Sequence, residues 1–271
     1  MSLFEFLIFV VVGCGVGFLG GLFGVGGGFI LVPILIFSYE RSGVSFSVLT
    51  HMAIGTSLFV VLFTSLSSGY QHSKQKNIDW PAVFIIGLSS ALTAFGAARI
   101  AAALSGMQLR MAFAIIVMVA AIRMLTESER KAQQKLELLS RPSTLGLILT
   151  GFAAGVVSAL AGIGGGVFTV PMMYYFLKMP LKLAIGTSSA AIFITALFSV
   201  GGYIVNGMGH PDLPAAATVG FLDLQRGIAL GIGTFLLARL GAYVSFRTHP
   251  YRLRKLFALF IMLVAIYLFV K

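Results

Sequence analysis

The residues best suited to chemistry in this sequence are two glycine-rich stretches in apolar surroundings. Residues 20–33 are GGLFGVGGGFILVP, and residues 158–171 are SALAGIGGGVFTVP. Glycine costs about 1 kcal/mol relative to alanine in a helix interior, so each cluster predicts a break between two helices. A helix that starts just after each GGG triplet would direct its free backbone N–H groups and its positive dipole end toward the break. This arrangement favours an anion.

A second repeated motif adds uncharged hydroxyl groups to the predicted site. AIGTS occurs at 53–57 and again at 184–188. The predicted substrate-binding residues are Gly24, Gly26, Gly27, Gly28, Thr56, Ser57, Gly162, Gly164, Gly165, Gly166, Thr187 and Ser188. Two alternatives stay open, because glycines also permit close helix packing and buried hydroxyls often bond to their own or a neighbouring helix. We assign the earlier glycines of each stretch to packing, namely Gly13, Gly17, Gly151 and Gly155.

The elements that carry these motifs are those of a membrane protein. The 271 residues are 58% hydrophobic and 10% charged, with a mean hydropathy of +1.00, whereas soluble domains carry roughly 25% charged residues. The apolar runs have the length of membrane-spanning helices and occupy 46–70, 80–104, 108–125, 183–206, 218–240 and 254–270. Two longer stretches, 3–38 and 143–177, hold the glycine breaks. The runs do not alternate as barrel strands would, so we predict an all-α integral membrane protein.

The chain consists of two related halves. Residues 13–33 and 151–171 align without gaps and are identical at nine of 21 positions. AIGTS follows in both halves, and LRMAFAIIVMVAAI near the end of the first half resembles LRKLFALFIMLVAI near the end of the second. We therefore place a first membrane repeat at 1–126, a cytoplasmic linker at 127–142 and a second membrane repeat at 143–271.

Positive charge indicates how the halves lie in the membrane. We expect each glycine-rich stretch to form a re-entrant helical hairpin, followed by three transmembrane helices. This odd number of crossings inverts the second half. With the linker inside the cell, 14 of the 19 Lys and Arg residues lie on the inside and five outside, as the excess of basic residues in cytoplasmic loops predicts. The sequence thus predicts two inverted-topology repeats in the cell (inner) membrane, with both termini outside.

Taken together, these motifs resemble the TauE/SafE family of sulfite and organosulfonate exporters. The resemblance covers nearly the whole chain and rests on the paired G-x-GGG-x-x-x-x-P at 24–33 and 162–171, the paired AIGTS, and NIDW at 77–80 preceded by His72. Where the first half has Asp79 and Trp80, the second has only Asp223 and Leu224. We therefore interpret Asp79 and Trp80 as the start of a span, with tryptophan at the membrane interface. The resemblance implies transport of sulfite, thiosulfate, sulfoacetate or a related anion.

The positions of the acidic residues favour export over uptake. All eight lie in loops or near predicted span ends, away from the membrane middle where a proton or sodium site usually has a carboxylate. An anion that leaves a negative-inside cell gains about 2.3 kcal/mol per charge per 100 mV, which can drive export without a coupling ion. We predict a secondary transporter that exports a small sulfur-containing anion by alternating access. An ion-coupled importer of the same anions is the alternative, with His51 as a candidate proton carrier.

Other function classes lack the residues that they need. The four histidines, His51, His72, His210 and His249, are scattered without metal-site spacing. We therefore predict no enzyme, no catalytic residue, no metal and no cofactor. The net charge of +11 reflects the basic loops, since no zinc-finger spacing, P-loop or basic helix predicts a nucleic-acid partner. The predicted partners are a small inorganic or organic sulfur anion and the lipid bilayer, and the oligomeric state stays open.

Overall fold

The computed structural model describes residues 2–104, 142–214 and 218–249, together with individual positions between 108 and 122 and between 251 and 266. These residues are nearly all helical. The helices are α1 (Leu3–Phe23), α2 (Gly28–Arg41), α3 (Phe46–Lys74), α4 (Trp80–Ala103), α5 (Thr144–Ala161), α6 (Gly166–Tyr175), α7 (Leu181–Gly207) and α8 (Leu224–Arg247), and the strands are β1 (Thr218–Val219) and β2 (Leu222–Asp223). Nearly all of the predicted linker, and most of the predicted spans 108–125 and 254–270, lie outside the described residues.

Six helices in the described part of the chain are long and apolar enough to cross a membrane: α1, α3, α4, α5, α7 and α8. The protein is therefore an all-α, multi-pass membrane protein, as predicted. Helices α3, α4 and α7 agree with predicted spans to within a few residues. The predicted span at 218–240 is wrong at its start, because the chain first forms an antiparallel hairpin that pairs Thr218 with Asp223. The residues of this hairpin are as apolar as those of a membrane span, which is why the predicted span began too early.

Both glycine-rich stretches break the helix at the predicted place. α2 and α6 begin at the last glycine of each GGG triplet, Gly28 and Gly166. Three glycines in each break have positive φ, namely Gly24 (68°), Gly26 (78°), Gly27 (80°), Gly162 (70°), Gly164 (75°) and Gly165 (82°). Glycine adopts this left-handed region without the steric cost that a Cβ imposes, which explains why the motif needs it.

Each broken stretch forms a hairpin that returns to the end from which it started. One cavity is lined both by Glu5, at the start of α1, and by Arg41, at the end of α2. In the second half, the side chain of Leu177, just after α6, lies against Gly146 near the start of α5. The first arms, α1 and α5, are 21 and 18 residues long, which is longer than an arm that stops at the membrane middle needs to be.

The first helix of each half packs in parallel along the fourth helix of the other half. Gly13 lies against Leu230 and Gly21 against Ala238, so α1 follows α8 in the same direction. Gly151 and Gly155 likewise lie against the backbone of α4. A methyl group at any of these positions would overlap the neighbouring backbone. The packing role predicted for the earlier glycines is therefore confirmed, since small residues allow helix backbones to approach closely.

Helices α3 and α7 form the centre of the molecule and run in opposite directions. Gly69 of α3 faces Ala190, whereas the later His72 faces the earlier Gly186 on α7. The buried cluster between the helices includes Val61 and Ile192. Both glycine breaks pack against this crossing, so α3 and α7 position them.

Candidate functional site

The two glycine breaks lie against each other, and all twelve predicted substrate-binding residues are buried. A methyl group at Gly28 would overlap the Gly162 carbonyl, and a methyl group at Gly166 would lie 2.6 Å from Val25 Cα. Gly28 and Gly166 occupy matching positions in the two halves. The contact is therefore made by backbone on both sides, and each half presents the same part of its break to the other.

Unbonded backbone donors lie at the start of α2 and α6. In the part of the chain that the structure describes, no acceptor is found for the backbone N–H groups of residues 26–28 or 164–166. Neither helix has a side-chain cap, because its N-cap residue is Gly27 or Gly165. A buried N–H group without an acceptor costs free energy. An anion at these helix ends would supply the missing acceptor.

The two predicted serines join the breaks through matching hydrogen bonds. Ser57 Oγ donates to the carbonyl oxygen of Gly162 at 2.8 Å, and Ser188 Oγ donates to that of Gly24 at 3.0 Å. Each glycine carbonyl belongs to the residue that ends the first helix of the opposite half. The serines therefore satisfy two of the acceptors that helix ends leave free.

The two predicted threonines bind the fourth helices in an equally reciprocal way. Thr56 Oγ1 accepts from the backbone N–H of Asp223 at 2.9 Å, and Thr187 Oγ1 accepts from that of Asp79 at 3.0 Å. Both aspartates are N-caps, and Asp79 accepts from the N–H of Ala82 at 3.1 Å. The predicted span start at Asp79 is thus confirmed. In this conformation the hydroxyls of all four predicted serines and threonines have protein partners.

Sequence reasoning missed a charged cluster beside Thr56. Asp223 is only 8% exposed, because the β1–β2 hairpin carries it inward to Thr56, ten residues beyond the start of α3. Arg226 donates to Asp223 Oδ2 at 2.9 Å and to Ser42 Oγ at 2.6 Å, and its guanidinium lies 4.8 Å from the centre of the Tyr39 ring. The i,i+3 spacing of Asp223 and Arg226 at a helix start was the available sequence signal.

The candidate proton carrier His51 is enclosed by protein. Its Nε2 atom is 3.2 Å from the Ala101 carbonyl oxygen, and its ring stacks on Phe221 with centroids 5.2 Å apart. These neighbours give His51 a packing role at the β1–β2 hairpin. Within the described residues, no group of three or more His, Cys, Asp or Glu side chains is placed to hold a metal ion.

The comparisons with known proteins agree with the sequence motifs. Residues 9–268 match the family described as sulfite exporter TauE/SafE. The chain belongs to the TauE/SafE family. A relative in Haemophilus influenzae is 32% identical over 270 residues, which are 99% of this chain and all of the relative. Another, in Methanocaldococcus jannaschii, is 32% identical over 258 residues, 93% of this chain and 92% of the relative.

A more distant relative in Bacillus subtilis is 27% identical over 218 residues, 75% of this chain and 80% of the relative. All three relatives are named probable membrane transporter proteins. No solved structure matches the chain. The protein is thus a TauE/SafE membrane transporter.

Proposed function

We propose that this transporter exports a small sulfur-containing anion, namely sulfite, thiosulfate or an organosulfonate, by alternating access of its two halves. The observation that carries the proposal is the contact between the two glycine breaks, each with buried backbone N–H groups for which the described residues provide no acceptor. Transporters with broken helices direct such helix N-termini at anionic groups of their substrates. The family description, sulfite exporter, supports sulfur anions as the substrate class.

The proposed substrate-binding residues are the twelve glycines, serines and threonines of the two breaks and the two AIGTS motifs. The breaks touch in the described conformation, so they separate when substrate binds. Separation releases Ser57 from Gly162 and Ser188 from Gly24. The freed hydroxyls then donate to the anion, together with the backbone N–H groups at the starts of α2 and α6.

The proposed arrangement is two inverted repeats, 1–126 and 143–271, joined by a cytoplasmic linker at 127–142. The opposite directions of α3 and α7 support this inversion, as does the reciprocal packing of α1 on α8 and α5 on α4. Lys182 contacts Phe246 and Arg239 lies over Tyr70, so basic residues of several elements gather at one end. We propose that this end faces the cytoplasm, with both termini outside.

The proposed driving force is the membrane potential. Each acidic residue that the structure describes lies at a helix end or in a loop, namely Glu5, Glu40, Asp79, Asp212 and Asp223. The buried carboxylate of Asp223 already has Arg226 as its partner. None of these described carboxylates lies in the middle of a membrane-spanning helix, so the proposed export runs on the charge of the anion alone.

Flux measurements in proteoliposomes test the proposal. Vesicles loaded in turn with sulfite, thiosulfate, sulfoacetate, taurine, sulfate or chloride receive a potassium diffusion potential, negative inside. We expect efflux of one sulfur anion, with a limiting gradient of roughly 50-fold per charge at 100 mV. Efflux that is independent of the potential would contradict potential-driven export. Uptake that requires a proton or sodium gradient would instead support the importer.

A matched thermal-shift measurement tests the site itself. The transported anion should stabilise the purified protein, and Gly165→Ala and Thr187→Ala should abolish that stabilisation. Gly96→Ala is the control, because a methyl group there meets no other atom within 4 Å. Equal stabilisation of all three variants by the anion would place the site elsewhere.

A further inference from the structure

A charged cavity lies at the end of the molecule where α1 starts and α2 ends. Its volume is about 920 Å³, and its wall includes the charged residues Glu5, Arg41, Asp223 and Arg226. None of the twelve proposed substrate-binding residues is part of this wall. The cavity is therefore a feature separate from the two glycine breaks.

The two arginines of the cavity differ in how they are held. Arg226 spans the wall from Asp223 to Ser42, and its Nε atom is buried without an acceptor in the described part of the chain. Arg41 lies over the Phe37 ring at 5.6 Å, and no carboxylate is within ion-pair distance of it among the described residues. Both guanidinium groups thus retain N–H donors for a further partner, since each carries five.

The two carboxylates of the cavity are fixed by their own helices. Asp223 Oδ1 accepts from the backbone N–H of Arg226 at 3.0 Å, which caps α8. Glu5 Oε2 accepts from the backbone N–H of Ser2 at 2.8 Å, which completes the capping box of α1. The long arginine side chains are free to change partner, whereas the capping carboxylates stay in place.

We propose that this cavity is an anion-binding vestibule in which Arg226 and Arg41 bind the transported anion and Asp223 competes with it for Arg226. A planar guanidinium binds oxyanions through two parallel N–H donors, which suits a sulfonate or a sulfur oxyanion. The choice of sulfur anion rests on the proposed function. That the ligand is an anion is inferred from the cavity and its two arginines alone.

The vestibule is connected to the glycine breaks by a short series of contacts. The backbone N–H of Asp223 donates to Thr56, and the next residue, Ser57, donates to Gly162. An anion bound at Arg226 therefore lies beside the residues that hold the breaks together. It occupies the outer position on the transport route.

Among the described residues, the Asp–Arg pair of the vestibule has no counterpart in the first half. In the first half, the cap that matches Asp223 is Asp79, and the residue that matches Arg226 is Ala82. The capping geometry is the same, but the guanidinium is missing. The vestibule therefore belongs to one end of the transport route, which in the proposed orientation is the outer end where the exported anion leaves.

Cysteine labelling tests the vestibule without relying on transport. Ser38 lines the cavity, so Ser38→Cys in a Cys14→Ser background is labelled with an anionic sulfonate methanethiosulfonate and with a cationic trimethylammonium one. Each rate is divided by the rate of that reagent with 2-mercaptoethanol. We expect the anionic reagent to be favoured and millimolar sulfoacetate to slow its reaction.

Substitutions in the wall should then move the anionic-to-cationic rate ratio in opposite directions. Arg226→Gln should lower it roughly tenfold, because the cavity loses an attracting charge. Asp223→Asn keeps a capping residue and should raise the ratio. Arg226→Lys keeps the positive charge and should leave the rate ratio close to that of the cavity with Arg226. Arg239→Gln is the control on the same helix, since Arg239 lies over Tyr70 outside the cavity.

The outcomes separate the vestibule from the proposed function. A ratio that Arg226→Gln and Asp223→Asn leave unchanged, while both proteins still react with the cationic reagent, would overturn the vestibule even if a sulfur anion is transported. Protection by sulfoacetate or sulfate that Arg226→Gln removes would support the vestibule, even if no sulfur anion crosses the membrane.

Discussion

The two halves of the molecule make the same contacts at their glycine breaks but differ where their fourth helices begin. Ser57 and Ser188 bind the opposite break, and Thr56 and Thr187 bind the opposite aspartate cap. The loop before α4 comprises only residues 75–79, whereas the chain before α8 forms a β-hairpin that inserts Phe221 beside His51. The reciprocal contacts require the two halves to be alike at the glycine breaks, whereas the segments before α4 and α8 can differ.

This difference distinguishes the centre of the transporter from the ends of its transport route. A centre built from matching contacts offers the same surroundings to a substrate from either side. The Asp223–Arg226 pair, which has only Asp79 and Ala82 as its counterpart in the first half, makes the two ends of the route different. The four predictions below test which contacts are equivalent in the two halves and which are not.

The largest effect is expected where the halves interlock. Gly17→Leu and Gly155→Leu should both remove most folded protein, because each side chain would enter a neighbouring backbone and exceed the usual overpacking cost of about 1–3 kcal/mol. The measurement is the yield of monodisperse protein after detergent extraction. Gly15→Leu, at an exposed position with no atom within 4 Å, should be produced normally. A loss confined to one half would show that the two interfaces are not equivalent.

The helix ends at the breaks should give the next largest effect. Gly24→Ala and Gly162→Ala place a methyl group on backbone at φ of 68° and 70° and against close neighbours. Each should lower the free energy of unfolding by about 2–3 kcal/mol, measured by chemical denaturation in detergent. Gly43→Ala has φ of 71° in open space and isolates the backbone cost. If Gly43→Ala costs as much as the others, the close packing of Gly24 against Ile185 and of Gly162 against Val32 and Ile54 contributes nothing.

The threonines should reveal an asymmetry within the reciprocal pattern. Thr187→Val should cost about 1 kcal/mol, because it leaves the Asp79 N–H unpaired. Thr56→Val should cost about 2 kcal/mol, since Thr56 also bonds to the Tyr39 hydroxyl at 3.1 Å. In a Tyr39→Phe background the two variants should cost the same. If the two variants still differ in unfolding free energy in the Tyr39→Phe background, a contact other than the Thr56–Tyr39 hydrogen bond causes the difference.

The smallest effect is expected at the serines. Ser57→Ala and Ser188→Ala should each lower the free energy of unfolding by about 1 kcal/mol, through loss of one hydrogen bond to a buried carbonyl. Ser189→Ala is the matched control, because the buried Ser189 hydroxyl has no partner among the described residues. It should leave stability unchanged or slightly higher. A cost at only one of the two serines would contradict the reciprocal assignment. A slightly larger cost at Ser57 would not, because Ser57 Oγ also lies 3.3 Å from the Gly28 carbonyl oxygen.

The sequence allowed prediction of the features that glycine and hydropathy specify. Positive φ at Gly24 and Gly162 requires a residue without a Cβ, so the breaks could be placed to within a few residues. Three of the six apolar runs outside the breaks correctly gave the spans α3, α4 and α7, because a helix of that length and composition is stable in lipid.

Hydropathy could not predict how deeply the β1–β2 hairpin before α8 enters the protein. TVGFL before α8 is apolar because Phe221 and Leu222 are buried in protein, and hydropathy does not distinguish that burial from contact with lipid. Asp223 was therefore placed near the start of a predicted span at 218–240, although it lies beside Thr56, ten residues beyond the start of α3. The AIGTS hydroxyls form hydrogen bonds with residues of the opposite half. These bonds depend on tertiary packing and could not be inferred from the motif itself.

The packing of α1 on α8 also sets the order of events during synthesis. Roughly 200 residues separate the end of α1 from the start of its partner, and at about 5–20 residues per second the ribosome needs about 10–40 s to make them. During that interval the glycine face of α1 has only lipid or an insertion factor beside it. Helix α5, in contrast, is made after its partner α4. Of the two reciprocal helix pairs, α1 and α8 are therefore the pair whose first member waits longest for its partner.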